Sequence, residues 1–286
     1  MEAKETFFGV EIETLCPSSL EMMVGGYHHG IQVPWLPAGW TASCDGSIST
    51  NQMGWRGVEI VSPKLKGDEG IREVISVCQK LREKGFRTNR TCGVHVSVDW
   101  GRHTDSETLS RLITISSYLE DALYASTGTV RRRNVQWCKS IKKYGGVKRA
   151  KNELDVFYHT ARYHLLNLTN LHNNQDRVEF RVFSGSLDEM KIVAWIQVCL
   201  GIVERAKNTK RSPKWNGSLS PRRLQKEGGR GQAEMERLLT YLAWNPYRAK
   251  KVHGGKMFGW ISDAIPQAKI RSVLRNLAKK YDETQV

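Results

Sequence analysis

The segment FFGVEIE at residues 7–13 alternates apolar and acidic side chains after Phe7. Successive side chains of a β-strand point to opposite faces of a sheet, so Phe8, Val10 and Ile12 share one face. Glu11 and Glu13 then project side by side from the other face. The alternation predicts a strand that buries one face in a core and presents a pair of carboxylates on the other.

Three later segments repeat this design, and they predict strands at 58–62 in GVEIVS, at 94–99 in CGVHVSVD and at 177–183 in RVEFRVF. A solvated face of an antiparallel sheet also alternates in this way, but it usually mixes lysine, threonine, glutamate and arginine. Here three of the four strands carry glutamate and the fourth carries histidine. We therefore expect one shared polar face, which would be formed by Glu11, Glu13, Glu59, His95, Glu179 and Arg181.

The composition of this face indicates a metal site. Four glutamates on one face repel one another, and carboxylates that must stay ionised together normally need cations. Carboxylate oxygens suit Mg²⁺ or Mn²⁺, an imidazole can complete the set of ligands, and Mg²⁺ also shares phosphate oxygens from nucleotides. Arg181 lies two residues beyond Glu179 on the same face, where it can bind such a phosphate oxygen. The four strands thus predict a divalent-metal site that works with a phosphate-bearing ligand.

Helical segments are interspersed with the strands, which predicts an α+β fold. Apolar residues recur with helical spacing at 69–84. Thr104 with Glu107, and Ser186 with Glu189, fit the capping-box pattern at the starts of two further helices.

The balance of charge divides the chain. The net charge is +15, from 44 Lys+Arg and 29 Asp+Glu. Residues 205–286 hold 19 Lys/Arg and 6 Asp/Glu, so +13 of that charge lies there. Composition also shifts after Lys207 to a stretch rich in Pro, Gly and Ser. We expect a catalytic domain at 1–207 and a basic, mostly helical extension at 208–286 that ends in a helix at 267–281. The extension is a candidate for binding nucleic acid or another polyanion.

Composition excludes several classes of protein. The 286 residues are 40% hydrophobic, with a mean hydropathy of −0.48. No apolar run approaches the roughly 20 residues of a membrane span, so no membrane contact is expected. The N-terminal residues lack the apolar core and cleavage site of a secretory signal. The six cysteines form no CxxC pair, which favours a reducing, cytoplasmic location over a disulfide framework.

Six motifs follow one another in the order FGVEIE, DGS, GVEIVSP, CGVHVSVD, RYHLLNL and RVEFRVFSGSL. In this order and spacing the sequence resembles the amidoligase family of carboxylate-amine ligases, which is related to glutamine synthetase and glutamate-cysteine ligase. The resemblance covers roughly residues 7–204. It implies a ligase that depends on ATP and on Mg²⁺ or Mn²⁺. It also implies a curved antiparallel sheet, a glutamine-synthetase-like half-barrel, with helices packed outside.

The resemblance implies metal ligands by position in the motifs. One metal ion would be held by Glu13 together with Glu59. A second ion would be held by Glu11, His95 and Glu179, and it would bind the γ-phosphate for transfer. These are the same five side chains that the alternation of the strands predicts as metal ligands.

The resemblance also implies roles in catalysis. Arg181 would contact the transferred phosphate, and Asn167 and Arg162 would lie near the substrate carboxylate or the phosphates. We expect Arg181, Glu179 and Asn167 to act in catalysis. Ser97 stands where some relatives carry a second histidine, so any role of that imidazole is lost here.

Four further residues are candidates for ligand contacts. Asp45 and Ser47 in the DGS motif are expected to contact substrate or nucleotide, and Lys64 and Arg131 are expected to contact ATP phosphates. An exposed lysine after a strand is common, and a basic run can equally be a solvated loop. The predicted cofactor-binding residues are Arg181, Arg162, Arg131 and Lys64, and the predicted substrate-binding residues are Asp45, Ser47 and Arg162.

The leading hypothesis is an ATP- and Mg²⁺-dependent ligase that joins a carboxylate and an amine, both of unknown identity. A carboxylate is a poor electrophile, and its conversion to an acyl phosphate allows the amine to attack. The alternative is a nucleic-acid-binding protein with an inactive ligase-like core, which the pI of about 9.6 favours. An inactive core is expected to lose polar-face residues, and all six are present. A kinase that stops at a phosphate ester would share this site, and only product analysis separates it.

Overall fold

A computed structural model describes the four predicted strands and most of the predicted helices. Thr104 of the first predicted capping box and the Pro-, Gly- and Ser-rich stretch at 211–229 lie outside the described residues. The described residues are 2–27, 29–50, 53–101, 105–141, 162–171, 175–210, 230–245, 257–260, 262 and 265–284.

One sheet organises the described residues. Its strands are β1 (Phe8–Pro17), β2 (Ile31–Gln32), β3 (Thr41–Ser43), β4 (Trp55–Val61), β5 (Gly93–Asp99), β6 (Leu166–Asn167) and β7 (Arg177–Ser184). They lie in the order β2-β3-β4-β1-β5-β7-β6, and every neighbouring pair is antiparallel. The α+β class and the antiparallel sheet are confirmed, whereas the curvature of a half-barrel stays a prediction.

Strand β1 lies at the middle of the sheet, and its register decides which charges meet. Ile12 on its apolar face is fully buried. Pairing with β4 sets Glu13 opposite Glu59, and pairing with β5 sets Glu11 opposite His95. Like charges directly opposite in neighbouring strands destabilise a sheet. The register therefore places a charge repulsion at the centre of the fold.

Strand β1 is longer than the alternation predicts. The predicted strand ends at Glu13, but pairing with β4 continues to Pro17. Beyond Glu13 both Thr14 and Leu15 are buried, so the two faces are covered alike and the sequence no longer alternates. The Leu15 N–H also donates to Arg87 O at 2.7 Å, which holds the extended part of the strand.

Six α-helices lie in the described part of the chain, and none of them combines the length and the apolar character needed to cross a membrane. The helix predicted at 69–84 is confirmed, and it buries Ile71, Val74 and Leu81 on one face. The helices are α1 (Gly67–Glu83), α2 (Ser106–Tyr118), α3 (Glu120–Ala125), α4 (Glu189–Asn208), α5 (Arg230–Tyr241) and α6 (Gln267–Glu283).

Both predicted capping boxes name the wrong cap. Helix α2 is capped by Asp105, since the Asp105 carboxylate accepts a first-turn N–H at 2.7 Å. Helix α4 is capped by Asp188, whose carboxylate accepts two first-turn N–H groups. The Ser186 hydroxyl instead accepts the Asp188 N–H at 3.1 Å. In each case an aspartate immediately before the helix offers an equally strong cap closer to the first turn.

The described part of residues 208–286 packs into the same hydrophobic core as the sheet. Helix α5 contacts α3 and α6, and α6 contacts α4. Leu238 and Leu274 are fully buried in one cluster with Val94 of the sheet. The last predicted helix is confirmed as α6. The predicted boundary at 207 falls in the last turn of α4, and the division into two units and the binding of polyanions stay predictions.

Gly259 fixes the segment 257–260 against α4. Its φ is +76°, and a Cβ there would lie 2.4 Å from Gln197 O and 2.3 Å from Gly201 N. Only glycine allows this close approach of two backbones. The Gly259 N–H donates to Glu204 Oε2 at 2.7 Å, which adds a buried hydrogen bond to the contact.

Candidate active site

The polar faces of β1, β4, β5 and β7 meet at a cavity of about 500 Å³. The alternation of each strand turns its apolar residues into the core and its charged residues toward this space. Loop residues from the segments before β4 and after β6 complete the lining. Of the side chains predicted from the sequence, the cavity is lined by Glu11, Asp45, Glu59, His95, Arg162, Asn167, Glu179 and Arg181.

Glu13 lies next to this lining and is almost fully buried. Its Oε2 accepts the Gly93 N–H at 2.5 Å, and its Oε1 lies 3.4 Å from His95 Nε2. A Cβ on Gly93 would lie 2.9 Å from Arg132 Nη2 and 3.3 Å from Glu13 Oε2. The glycine therefore lets a carboxylate and a guanidinium both approach the backbone of β5.

His95 stands among three glutamates. Its Nδ1 lies 3.3 Å from Glu11 Oε2 and 3.4 Å from Glu179 Oε1. Burial, followed by the nearby Arg181 guanidinium, lowers the pKa of His95 to about 4. The imidazole is therefore neutral near pH 7, which is the form that donates a lone pair to a metal ion.

The pKa of Glu59 reflects the excess of negative charge in the cavity. Burial, followed by the charges of Glu11, Glu13, Asp45 and Glu179, raises the pKa of Glu59 to about 9. The cavity therefore favours a proton on this carboxyl group at neutral pH. A divalent cation could replace that proton, because metal binding favours the deprotonated ligand.

Two groups of three side chains have the spacing of metal ligands. Glu11, Glu59 and His95 offer atoms that all lie within 4.8 Å of one another, and so do Glu13, Asp45 and Glu59. Oxygen donors with one imidazole suit Mg²⁺ or Mn²⁺. This donor set fits divalent cations, with Glu59 common to both groups.

The grouping differs from the one that the resemblance implies. Asp45, predicted as a substrate contact, joins Glu13 and Glu59. Glu179, predicted as a metal ligand, belongs to neither group of three. It is held instead by Asn167 Nδ2, which donates to its Oε2 at 2.6 Å, and by Arg181 Nη1, which donates to its Oε1 at 2.7 Å.

Backbone contacts hold this arrangement in place. Asn167 Oδ1 accepts the N–H and the hydroxyl of Thr169 at 3.0 and 2.7 Å, which orients its amide toward Glu179. Arg132 Nη2 donates to Arg181 O at 2.7 Å. Burial opposes the charge of Arg181, but the carboxylates of Glu179, Glu11 and Glu13 outweigh it and raise the pKa of Arg181. Arg181 is thus a fixed cation at the edge of the carboxylates.

Two further predicted ligand contacts, Arg162 and Ser47, differ in their relation to the cavity. Arg162 lines the cavity, and its Nη2 donates to Tyr27 Oη at 3.2 Å. Ser47 is not among the lining residues, and its backbone N–H donates to Asp45 Oδ1 at 2.6 Å. This turn orients Asp45 toward the cavity, so the DGS motif contributes its aspartate and the serine backbone.

The structure does not bring Lys64 or Arg131 to the cavity. Lys64 is exposed beyond the end of β4, where the alternation of the strand no longer sets its direction. Arg131 is exposed in the short 3₁₀ helix Val130–Asn134, while the neighbouring Arg132 points inward and is buried. Their predicted contacts with ATP phosphates have no support from this geometry.

The sequence interpretation missed several polar lining residues, including Arg177 and Asn170. Arg177 precedes Glu179 by two residues, so the period of the strand places both on one face. This two-residue spacing could have identified Arg177 as a cavity residue from the sequence. Asn170 follows β6 in a 3₁₀ turn, where the sequence has no periodic pattern from which the direction of its side chain could be predicted.

These observations define a class of protein: a mixed α+β fold with a candidate divalent-metal centre on one face of its sheet. Residues 4–149 and 145–203 match the model of the family described as "Putative amidoligase enzyme". The match covers well over half of the chain, and the chain belongs to this amidoligase family.

Among solved structures, the chain is similar to one in the crystal structure of the complex between prokaryotic ubiquitin-like protein Pup and its ligase PafA. The identity is 11% and the TM-score is 0.46. The alignment covers 98% of this chain and 64% of that one, so the chain spans less than two thirds of the length of the structure it matches. A comparison with curated proteins finds no match.

Proposed function

We propose that the chain is an ATP- and Mg²⁺-dependent carboxylate-amine ligase that forms an amide bond through an acyl phosphate. Membership of the amidoligase family supports the reaction class. The substrates are a carboxylic acid and an amine. Mn²⁺ is expected to replace Mg²⁺, since both accept the same oxygen-rich ligands.

One observation carries this proposal: the cavity contains more acidic side chains than the protein's own cationic groups neutralise. Glu59 is forced toward its protonated form with a pKa of about 9. His95 is neutral near pH 7 because its pKa is lowered to about 4. Arg181 is the cation that bonds Glu179 there. A purely structural site has no reason to keep such repulsion, whereas a site for divalent cations and phosphates requires it.

The chain's own residues would divide the work in the following way. Glu11, Glu59 and His95 would hold one cation, and Glu13 and Asp45 would share Glu59 with a second. When bound, these ions supply positive charge for phosphoryl transfer.

Arg181 would stabilise charge on the transferred phosphoryl group. Its Nη1 is engaged with Glu179, and the planar guanidinium has further N–H donors for a phosphate oxygen. Asn167 would keep Glu179 oriented through their 2.6 Å hydrogen bond. No covalent attachment to the protein is needed, because ATP itself activates the carboxylate.

Hydroxylamine trapping tests the proposal. The protein is incubated with ATP, Mg²⁺ and a panel of carboxylic acids, and hydroxylamine replaces the unknown amine. Formation of a hydroxamate that depends on all components would support an acyl phosphate. ATP turnover that leaves a stable phosphate ester and no hydroxamate would instead identify a kinase.

A further inference from the structure

Strand β7 contains a bulge at Arg181. The pairing of β5 with β7 shifts by one residue between Val94 and Val96. Arg181 and Val182 therefore stand together opposite a single residue of β5. A bulge of this kind interrupts the ladder of hydrogen bonds and re-aims a side chain, and such bulges are frequent beside active sites. The direction of the Arg181 side chain thus depends on the contacts that hold the bulge in shape.

The guanidinium of Arg132 binds both carbonyl groups of this bulge. Its Nη2 donates to Arg181 O at 2.7 Å, and its Nε donates to Val182 O at 3.2 Å. Arg132 is only 4% exposed, so both hydrogen bonds are shielded from water. A planar guanidinium fixes the positions of two acceptors at once, which a flexible ammonium group does not do. Arg132 therefore holds the backbone from which the Arg181 side chain projects.

The 3₁₀ helix Val130–Asn134, which carries Arg132, is itself tied to two α-helices. The next residue, Arg133, donates from Nη2 to Asp121 Oδ1 of α3 at 2.6 Å. The Nε of Arg133 donates to Tyr281 Oη of α6 at 3.0 Å. Because both acceptors lie outside the sheet, they fix the position of Arg132 independently of β7.

Arg132 supports the cavity without lining it. Arg181 is among the described residues that line the cavity, and Arg132 is not. The Arg132 guanidinium packs instead against the backbone of β5, where a Cβ on Gly93 would lie 2.9 Å from its Nη2. An effect of Arg132 on the reaction must therefore act through a residue that does reach the cavity, and Arg181 is the one whose backbone it holds.

We infer that Arg132 is a positioning residue for Arg181, because it braces the bulge that aims the Arg181 guanidinium at the transferred phosphoryl group. This inference rests on the proposed function, since the role of Arg181 belongs to that reaction. Displacement of a reacting group by about 1 Å can lower a rate about 100-fold. Loss of the brace should therefore reduce turnover, whereas ground-state binding of ATP should change little because Arg181 keeps its charge.

Kinetics of hydroxamate formation by full-length Arg132→Lys test the inference. Lysine keeps the positive charge but loses the planar pair of donors, so kcat is expected to fall about tenfold or more while the KM for ATP stays within about twofold. Arg72→Lys, on the exposed surface of α1, is the matched control and should leave both constants unchanged. An unchanged kcat in Arg132→Lys, or an effect on KM alone, would overturn the inference.

A double-mutant cycle separates positioning from a general structural role. If Arg132 acts through Arg181, Arg132→Lys should change kcat by less than about twofold once Arg181→Lys is already present. The same loss of kcat in both backgrounds would show that Arg132 acts independently of Arg181, and it would overturn the inference.

NMR of the Arg181 Nε–Hε resonance provides a readout that needs no activity. The resonance is assigned from its loss in Arg181→Lys, and it is expected to shift or broaden in Arg132→Lys. Backbone amide spectra report whether each variant is folded, and Arg132→Gln, which also removes the guanidinium, is the second variant if Arg132→Lys does not fold. A wild type that forms no hydroxamate would count against the proposed function, and the NMR result would then decide the inference by itself. An Arg181 resonance that is unchanged in a folded Arg132 variant would overturn it.

Discussion

Buried acids occur in two regions of this protein, and the regions differ in whether the partners that the chain supplies balance the negative charge. On the helical side, Glu204 accepts the Gly259 N–H at 2.7 Å. Asp121 accepts from Arg133 Nη2 at 2.6 Å. Each of these carboxylates is held by a donor from another segment, as expected for an acid that contributes to folding.

In the cavity, hydrogen bonds to Glu13, Asp45 and Glu179 leave an excess of negative charge. Glu59 faces Glu13 across the strands and lies near Glu11, and burial with these charges raises the pKa of Glu59 to about 9. Only Glu179 among the cavity glutamates is bonded by a guanidinium in the described residues. The helical acids are bonded within the fold, whereas the raised pKa of Glu59 shows that the cavity acids repel one another.

The largest expected effect breaks a contact on the helical side. Glu204→Ala leaves the buried N–H of Gly259 without an acceptor, and we expect the free energy of unfolding to fall by about 3 kcal/mol. Urea denaturation measures this change. Glu204→Gln is the matched control, since it keeps an acceptor oxygen and should cost distinctly less. A loss below about 1 kcal/mol in Glu204→Ala would show that the helical acids are not structural in this sense.

The second prediction concerns Arg181, the cation that the cavity supplies to Glu179. Arg181→Lys keeps the charge but loses the planar arrangement of donors, so kcat for hydroxamate formation is expected to fall about 100-fold with little change in the KM for ATP. Arg72→Lys on the exposed surface of α1 should leave both constants unchanged. An effect confined to KM would place Arg181 in ground-state binding of ATP.

The third prediction uses the pH dependence of stability without metal. The pKa of Glu59 is raised to about 9 from 4.5, so the folded state holds a proton that the unfolded state has lost, and stability falls as pH rises between these values. The pKa of His95 is lowered to about 4 from 6.5, which makes stability rise with pH between those values. The two trends oppose each other below pH 6.5.

Between pH 6.5 and about 8 the Glu59 trend dominates, so the free energy of unfolding is expected to fall by on the order of 1 kcal/mol per pH unit. Nearer pH 9 the buried cysteines, whose pKa values are also raised, add a trend of the same sign. Denaturation in the presence of a chelator measures the slope. Glu59→Gln should flatten it. A wild-type slope that persists in this variant would contradict the assignment to Glu59.

The shared face of the sheet could be predicted from the sequence because it depends only on the period of a strand. In these strands the buried residues are valine, isoleucine and phenylalanine. The side chains that alternate with them must therefore all project from the opposite face of the sheet, and they are Glu11, Glu59, His95 and Glu179. This conclusion does not depend on the order of the strands in the sheet. The local pattern fixes the face, and pairing in the sheet then brings the faces together.

Other parts of the site depend on contacts that the local pattern does not record. Asp45 joins Glu13 and Glu59 because a turn at Ser47 aims it, and turn geometry leaves little trace in periodicity. A run of basic residues likewise does not show which member points inward: Arg131 is exposed, whereas Arg132 is buried. The caps at Asp105 and Asp188 were missed because neighbouring residues compete for the same role.

The central claim is that the cavity acids form a site for divalent cations, and thermal unfolding at pH 8 with and without Mn²⁺ tests it most directly. Mn²⁺ at about tenfold excess over its Kd is expected to stabilise the wild type by about 1.4 kcal/mol. Glu69→Gln, an exposed glutamate on α1, should respond like the wild type. Glu59→Gln should be more stable than the wild type without metal and should gain much less from Mn²⁺. A wild type that gains nothing from Mn²⁺, or an equal gain in Glu59→Gln, would contradict the account.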